Sequence, residues 1–127
     1  MYPIHTENAP AAIGPYSQAI VAGNIVFTSG QIPIDPATGA ITAEGIRAQT
    51  EQVCKNLAAV LEASGSDLQH VVKTVCFLRD MGDFAAFNGV YARYFTGKPA
   101  RSCVAVRELP KGVLVEIDTI AEMKEDT

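Results

Sequence analysis

Apolar residues change their period twice along this chain. Residues 16–22 (Tyr-Ser-Gln-Ala-Ile-Val-Ala) and 25–29 (Ile-Val-Phe-Thr-Ser) flank Gly23-Asn24, a turn pair that supplies positive φ, and together predict a β-hairpin. Gly30-Gln31-Ile32-Pro33 ends the second strand, and Asp35-Pro36-Ala37-Thr38-Gly39 is a turn cluster. From about Glu44 to Ser64 the period lengthens. Ile46, Val53, Leu57, Val60 and Leu61 fall on one helical stripe, with Arg47, Glu51, Lys55 and Glu62 elsewhere on the wheel. Thr42 is the expected N-cap and Gly65 the expected stop. Val71 to Leu78 is rich in β-branched residues and predicts a third strand. Asp83 then reads as the N-cap of a second helix, with Phe84, Phe87, Tyr91, Tyr94 and Phe95 on its apolar face. Residues 101–107 alternate, with Ser102, Val104 and Val106 on one face and Arg101, Cys103, Ala105 and Arg107 on the other. Leu109-Pro110-Lys111-Gly112 is a turn, and Val113 to Glu122 the last strand.

The order ββαβαββ predicts an α+β fold in which two helices cover one face of a single mixed sheet. The second face is left with apolar surface that needs a partner, and a homo-oligomer is the economical one. A mean hydropathy of +0.14, high for a small soluble monomer, points the same way. With 127 residues, 48% hydrophobic and 19% charged, the chain is expected to form one domain over 1–127 with a real core. Ten Lys and Arg against fourteen Asp and Glu leave a net charge of -4, without a dense basic face. That argues against nucleic acid as the main partner. No apolar run approaches the roughly 20 residues of a membrane helix, and Met1 to Glu7 lacks the pattern of a cleaved signal. A cytoplasmic location without membrane contact is expected.

Cys54, Cys76 and Cys103 are widely spaced, and His5 and His70 are the only histidines, so neither a disulfide framework nor a metal cluster is expected. Arg101 and Glu116 stand out, each in a strand otherwise made of small or apolar residues. The turn at Leu109–Gly112 reads as joining their strands into a hairpin, which lets the two approach across neighbouring strands or across subunits. The plainer reading is a structural ion pair. The sharper one is a carboxylate-binding arginine beside a carboxylate that handles protons, since the guanidinium fork makes two parallel hydrogen bonds to a carboxylate. Cys103 shares a face with Arg101. It reads as a small buried hydrophobe, or as a thiol made reactive by the neighbouring charge. Asn88 reads as a solvated or helix-terminal amide, and Tyr16 follows Gly14-Pro15, turn chemistry that fixes a side chain.

Five blocks carry a resemblance. Gly14-Pro15-Tyr16-Ser17-Gln18-Ala19, Thr28-Ser29-Gly30-Gln31-Ile32-Pro33, Pro99-Ala100-Arg101-Ser102-Cys103-Val104, Leu109-Pro110-Lys111-Gly112 and Val115-Glu116-Ile117 resemble the Rid family of imine/enamine deaminases, most closely its RidA (YjgF-like) branch. The resemblance runs from about Thr6 to Glu122. It implies a chorismate-mutase-like homotrimer with active sites between subunits, and hydrolysis of 2-imino acids such as 2-iminobutanoate and 2-iminopropanoate, released by pyridoxal-phosphate enzymes, to 2-oxo acids. It maps the carboxylate-binding residue onto Arg101 and the catalytic glutamate onto Glu116. The other pocket positions fall on Tyr16, Ser29, Gly30, Asn88 and Cys103. No metal or organic cofactor is implied. The chain departs from the family pattern at Arg107-Glu108-Leu109 and in the short loop Thr96-Gly97-Lys98, both near the cleft rim, where they bear on substrate breadth. Alternatives from other classes are a ribonuclease or translation inhibitor, a chaperone-like holding protein, and a ligand-binding regulatory trimer.

Overall fold

The structure, a computed structural model, describes residues 1–125. Strands β1 (Tyr2–Ile4), β2 (Ala19–Ala22) and β3 (Ile25–Thr28) precede helix α1 (Gly45–Ala63). Strand β4 (Val71–Leu78), helix α2 (Phe84–Tyr94) and strands β5 (Ala100–Ala105) and β6 (Val115–Glu122) follow. One six-stranded sheet runs in the order β1-β2-β3-β6-β4-β5. The β4–β5 pair is parallel and the others are antiparallel. This is the expected α+β arrangement, with one strand added. β1 is three residues long, too short to show a period, and pairs with β2 at the sheet edge.

Local chemistry accounts for most boundaries. Gly23, at φ 62, turns the β2–β3 hairpin. Gly65, at φ 86, ends α1 in a Schellman motif: its N–H donates to the Glu62 carbonyl at 3.2 Å and that of Ser66 to Leu61 at 2.9 Å. At the other ends one expected cap is corrected. Thr42 does not cap α1, because the chain turns at Gly45 (φ 82) and leaves Glu44 as an N-cap without a side-chain bond. Asp83 stands at the N-cap position of α2 as expected, but its side chain makes no cap bond. A single helical turn, Met81–Asp83, leads straight into α2, and Asp80 caps that turn by accepting from the Gly82 N–H at 2.7 Å.

The expected β5–β6 hairpin does not form. α2 carries the chain over so that β5 lies parallel to β4, and β6 inserts on the far side of β4, between it and β3. The connection wraps over the end of β4. The Val106 N–H donates to the Leu78 carbonyl at 2.9 Å, and the Arg79 N–H donates to Leu114 at 3.0 Å. β6 suits a central position because Val115, Ile117, Thr119 and Ala121 are all buried on one side.

That buried side is the inner face of the sheet, which both helices cover. Val53, Leu57, Val60 and Leu61 of α1 and Phe87 of α2 pack there against Val26, Cys76, Leu78 and Ile117. Each such side chain contributes about 1.5–3 kcal/mol relative to exposure. The outer face carries alternate residues of the same strands. Phe27 and Val104 are 45% and 47% exposed there, beside the half-buried Val75, Phe77 and Ile120.

One irregularity positions the site. Phe27 pairs with Ile120, and the next pairing is Gln31 with Ile117. The β3 side thus advances four residues while β6 advances three, which makes a β-bulge. Thr28 bridges the gap with its side chain, whose hydroxyl oxygen accepts from the Thr119 N–H at 3.0 Å.

Candidate active site

Arg101 lies on edge strand β5 beside Thr74 of β4, with its side chain on the inner face toward α2. Its Nη1 donates to the Asn88 side-chain oxygen at 2.6 Å. The guanidinium carbon sits 4.7 Å from the centre of the Tyr91 ring and 5.4 Å from that of Phe84, so two aromatic rings hold the cation. Tyr91 is itself anchored, its hydroxyl 2.8 Å from that of Thr74. Among the described residues no carboxylate pairs with Arg101. Beside it opens a cavity of about 430 Å³ lined by Tyr91, Phe95, Thr96, Lys98 and Pro99. A guanidinium fixed on one flank and open on another can take a carboxylate on its remaining N–H donors.

Cys103 follows two residues on, opposite Cys76 of β4 and on the same inner side. Burial pushes its thiol up from the ordinary value, and the pull of Arg101 does not reverse this. That direction runs against the reading of Cys103 as an activated thiol. Asn88 is not a solvated amide, since it orients Arg101.

Glu116 lies on β6 with its side chain on the outer face, against Gly30. A Cβ at residue 30 would stand 3.0 Å from the Glu116 carboxyl carbon and would collide with its Oε2. It is this close approach, not a left-handed φ, that distinguishes residue 30: a methyl there would displace the flexible end of Glu116. Burial raises the Glu116 carboxyl above its ordinary value, and repulsion from Asp118 adds to the rise. Ser29 joins this region to the preceding loop. Its hydroxyl donates to the Ser17 carbonyl at 2.6 Å, and its N–H to Gln18 at 2.9 Å. Tyr16 is 56% exposed, and with Ile13, Gly30, Ile32 and Lys111 it lines a hollow of about 350 Å³. Buried Gln18 fixes the loop, its Nε2 donating to the carbonyls of Thr6 and Pro10 at 3.0 and 2.8 Å.

The sequence profile of the endoribonuclease L-PSP family matches residues 6–123. The chain belongs to this family, also called YjgF/RidA. RutC family protein PH0854 of Pyrococcus horikoshii is 58% identical over 119 residues, which span 93% of this chain and 94% of that protein. The 2-iminobutanoate/2-iminopropanoate deaminase of Salmonella typhimurium is 52% identical over 122 residues, spanning 93% and 94%. The crystal structure of E. coli TdcF with bound serine matches with a TM-score of 0.92 at 41% identity, covering 98% of this chain and 100% of that one.

In this YjgF/RidA chain the candidate residues form two separate groups. Arg101, Asn88 and Cys103 lie on the inner face, while Glu116 and Gly30 lie on the outer face with Ser29 and Tyr16 at its margin. The expected ion pair between Arg101 and Glu116 does not form within the chain, because β4 separates their strands and the side chains point to opposite sides. Sequence reasoning missed the aromatic platform under Arg101, having read Phe84 and Tyr91 only as an apolar stripe. It also missed Asp118, whose two-residue spacing from Glu116 was the available signal. Of the two departures from the family pattern, Thr96 and Lys98 line the Arg101 cavity, while Arg107 and Glu108 line a polar hollow with Arg79. Among the described residues no helix is long and apolar enough to cross a membrane. Among the described residues no group of three or more His, Cys, Asp or Glu side chains is placed to hold a metal ion.

Proposed function

We propose that this chain is a hydrolytic deaminase that converts 2-imino acids, such as 2-iminobutanoate and 2-iminopropanoate, to 2-oxo acids and ammonia. In this reading it works as a homotrimer of single-domain subunits, with each site completed across a subunit boundary. One observation carries the reading: an open, pre-oriented guanidinium and a carboxyl of raised proton affinity, on opposite faces of one sheet, each without an ion partner among the described residues of its own chain. A second copy that covers the outer face supplies the missing half to each. The named activity of the Salmonella relative supports the chemistry. The serine bound to TdcF, a small α-carboxylate ligand, supports the ligand class.

Arg101 of one subunit holds the substrate carboxylate, and Glu116 of another faces the C=N carbon. A water oxygen bonds to that carbon as the C=N π pair moves to nitrogen. The water proton passes to Glu116 and from there to nitrogen. In the resulting carbinolamine the hydroxyl oxygen forms the C=O bond while the C–N bond breaks. Glu116 relays the hydroxyl proton to the departing ammonia. The sum is imine plus water giving oxo acid plus ammonia, with no net oxidation. Enamines enter after tautomerising to the imine. A carboxyl with raised proton affinity suits both transfers, and general acid–base help of this kind contributes roughly 10²–10⁴-fold. Positioning by Arg101 and Asn88 adds to it.

The family's name supports a second reading, RNA cleavage. The net charge of -4, and the three carboxylates of the β6 outer row, oppose phosphate binding. Both readings can be tested on one preparation. Threonine dehydratase is supplied with threonine, and 2-oxobutanoate release is followed with and without the chain, alongside incubation of the chain with RNA. Accelerated release with intact RNA is expected. Unchanged release would overturn the deaminase reading, and RNA cleavage by the purified trimer would favour the other.

A further inference from the structure

We infer that Asp118 is a positioning residue for the proposed chemistry: its carboxylate, next along the outer face of β6 from Glu116, sets a negative charge beside the Glu116 carboxyl that opposes the charge of Arg101 from a neighbouring subunit. The inference rests on the deaminase reading and deepens it. Two residues apart on one strand, the side chains emerge on the same side, about 6–7 Å apart by strand geometry. Both are half-buried, where charges are screened less than in open water.

The surroundings leave Asp118 little else to do. Directly opposite it on β4 is Val75, and beyond that lies Ser102 of β5. The rest of the β5 outer row, Ala100 and Val104, is uncharged. On β4 the outer row is Lys73, Val75 and Phe77. Lys73 sits opposite Ile120, and its ammonium is not within ion-pair distance of either carboxylate. From the β3 side come Phe27 and the Ser29–Gly30 bulge, again without charge. Glu122 is the remaining acid of the outer row and is exposed at the far end of β6. Within its own chain Asp118 is a half-buried carboxylate with no ion partner among the described residues. Burial raises Asp118 above its ordinary value, and Asp118 in turn raises Glu116. Without that repulsion, an arginine docked across the cleft would strip the Glu116 proton and leave a weak base.

The test is Asp118→Asn, which keeps the shape and removes the charge, with Asp118→Glu as the conservative control. Two measurements are made: the pH profile of kcat/KM, and the carbon-13 NMR titration of the Glu116 carboxyl, assigned with Glu116→Gln. Asp118→Asn should move the acid-side midpoint of both to lower pH and lower the rate plateau severalfold, with trimer content and Tm kept. Asp118→Glu should restore both. A purely structural role would lower the plateau and leave the midpoint in place. An unmoved Glu116 titration in Asp118→Asn overturns the inference. The titration needs no turnover, so an inactive wild-type chain would sink the deaminase reading while the coupling is still decided.

Discussion

Arg101 and Glu116 project from opposite faces of the same sheet, on strands held apart by β4. The guanidinium is preset by Asn88 and two aromatic rings on one side, and the carboxyl by Gly30 on the other. Neither is positioned by the other, so the proposed site can be taken apart genetically one half at a time.

Mixing therefore discriminates an intersubunit site from an internal one. Arg101→Ala and Glu116→Gln should each be inactive alone. Unfolded and refolded together in equal amounts, they should regain about a quarter of wild-type turnover. That is the random fraction of clefts that draw an intact Arg101 from one subunit and an intact Glu116 from the next. No recovery in a mixture shown by mass spectrometry to contain mixed trimers would place both groups in one chain's site.

Glu116→Gln should lower imine hydrolysis by roughly 10²-fold or more, while calorimetric binding of 2-oxobutanoate through Arg101 survives. Stability should respond in the opposite sense from a broken ion pair. The folded chain holds the Glu116 proton more tightly than the unfolded chain does. The stability this contributes is full below the unfolded carboxyl range and is lost as pH rises through the elevated folded value. At neutral pH the uncharged amide should thus melt no lower than wild type, and its advantage should vanish in acid. A clearly lowered Tm at pH 7 would make Glu116 half of a structural pair.

Gly30→Ala tests the close approach. The added methyl meets the end of a flexible side chain and not backbone, so Glu116 should swing away and the fold should persist. Turnover is expected to fall about as far as in Glu116→Gln, with circular dichroism and trimer mass unchanged. Near wild-type kinetics would show that the Glu116 conformation against Gly30 does not matter.

Cys103→Ala should keep most of its activity, because burial raises the thiol and so disfavours the thiolate that a nucleophilic role would need. Steady-state rates and alkylation by iodoacetamide on the same samples check this. A folded but inactive Cys103→Ala trimer would revive covalent catalysis.

Much of the fold was legible because local patterns carried it. The stripe of Val53, Leu57, Val60 and Leu61 announced α1, Gly65 announced its end, and Gly23 announced the hairpin. Pairing was not legible. Alternation in residues 101–107 shows which residues share a face, but not which strand lies alongside. Adjacent strands joined by a turn read as a hairpin, while the contacts that send β6 past the end of β4 are backbone bonds at Leu78 and Arg79, which no side-chain pattern records. The same blindness hid the division of the site. Arg101 and Glu116 were recognisable as misplaced charges, but their opposition across the sheet follows from topology. Gly30 was read at the end of the second strand and, through the resemblance, as a pocket position, but the carboxyl that packs against it lies 86 positions later in the chain.

The bulge between β3 and β6 makes chain length itself a chemical variable. Deleting one residue between Thr28 and Gln31 would let the two strands run in step, with backbone replacing the Thr28 hydroxyl as partner of the Thr119 amide. The sheet would gain regularity. The surplus residue that lets Ser29 stay tied to the Tyr16 loop while Gly30 slips beneath Glu116 would be gone. At this point of the molecule a better-formed ladder works against the proposed cleft, and a shortened chain should fold well and lose turnover.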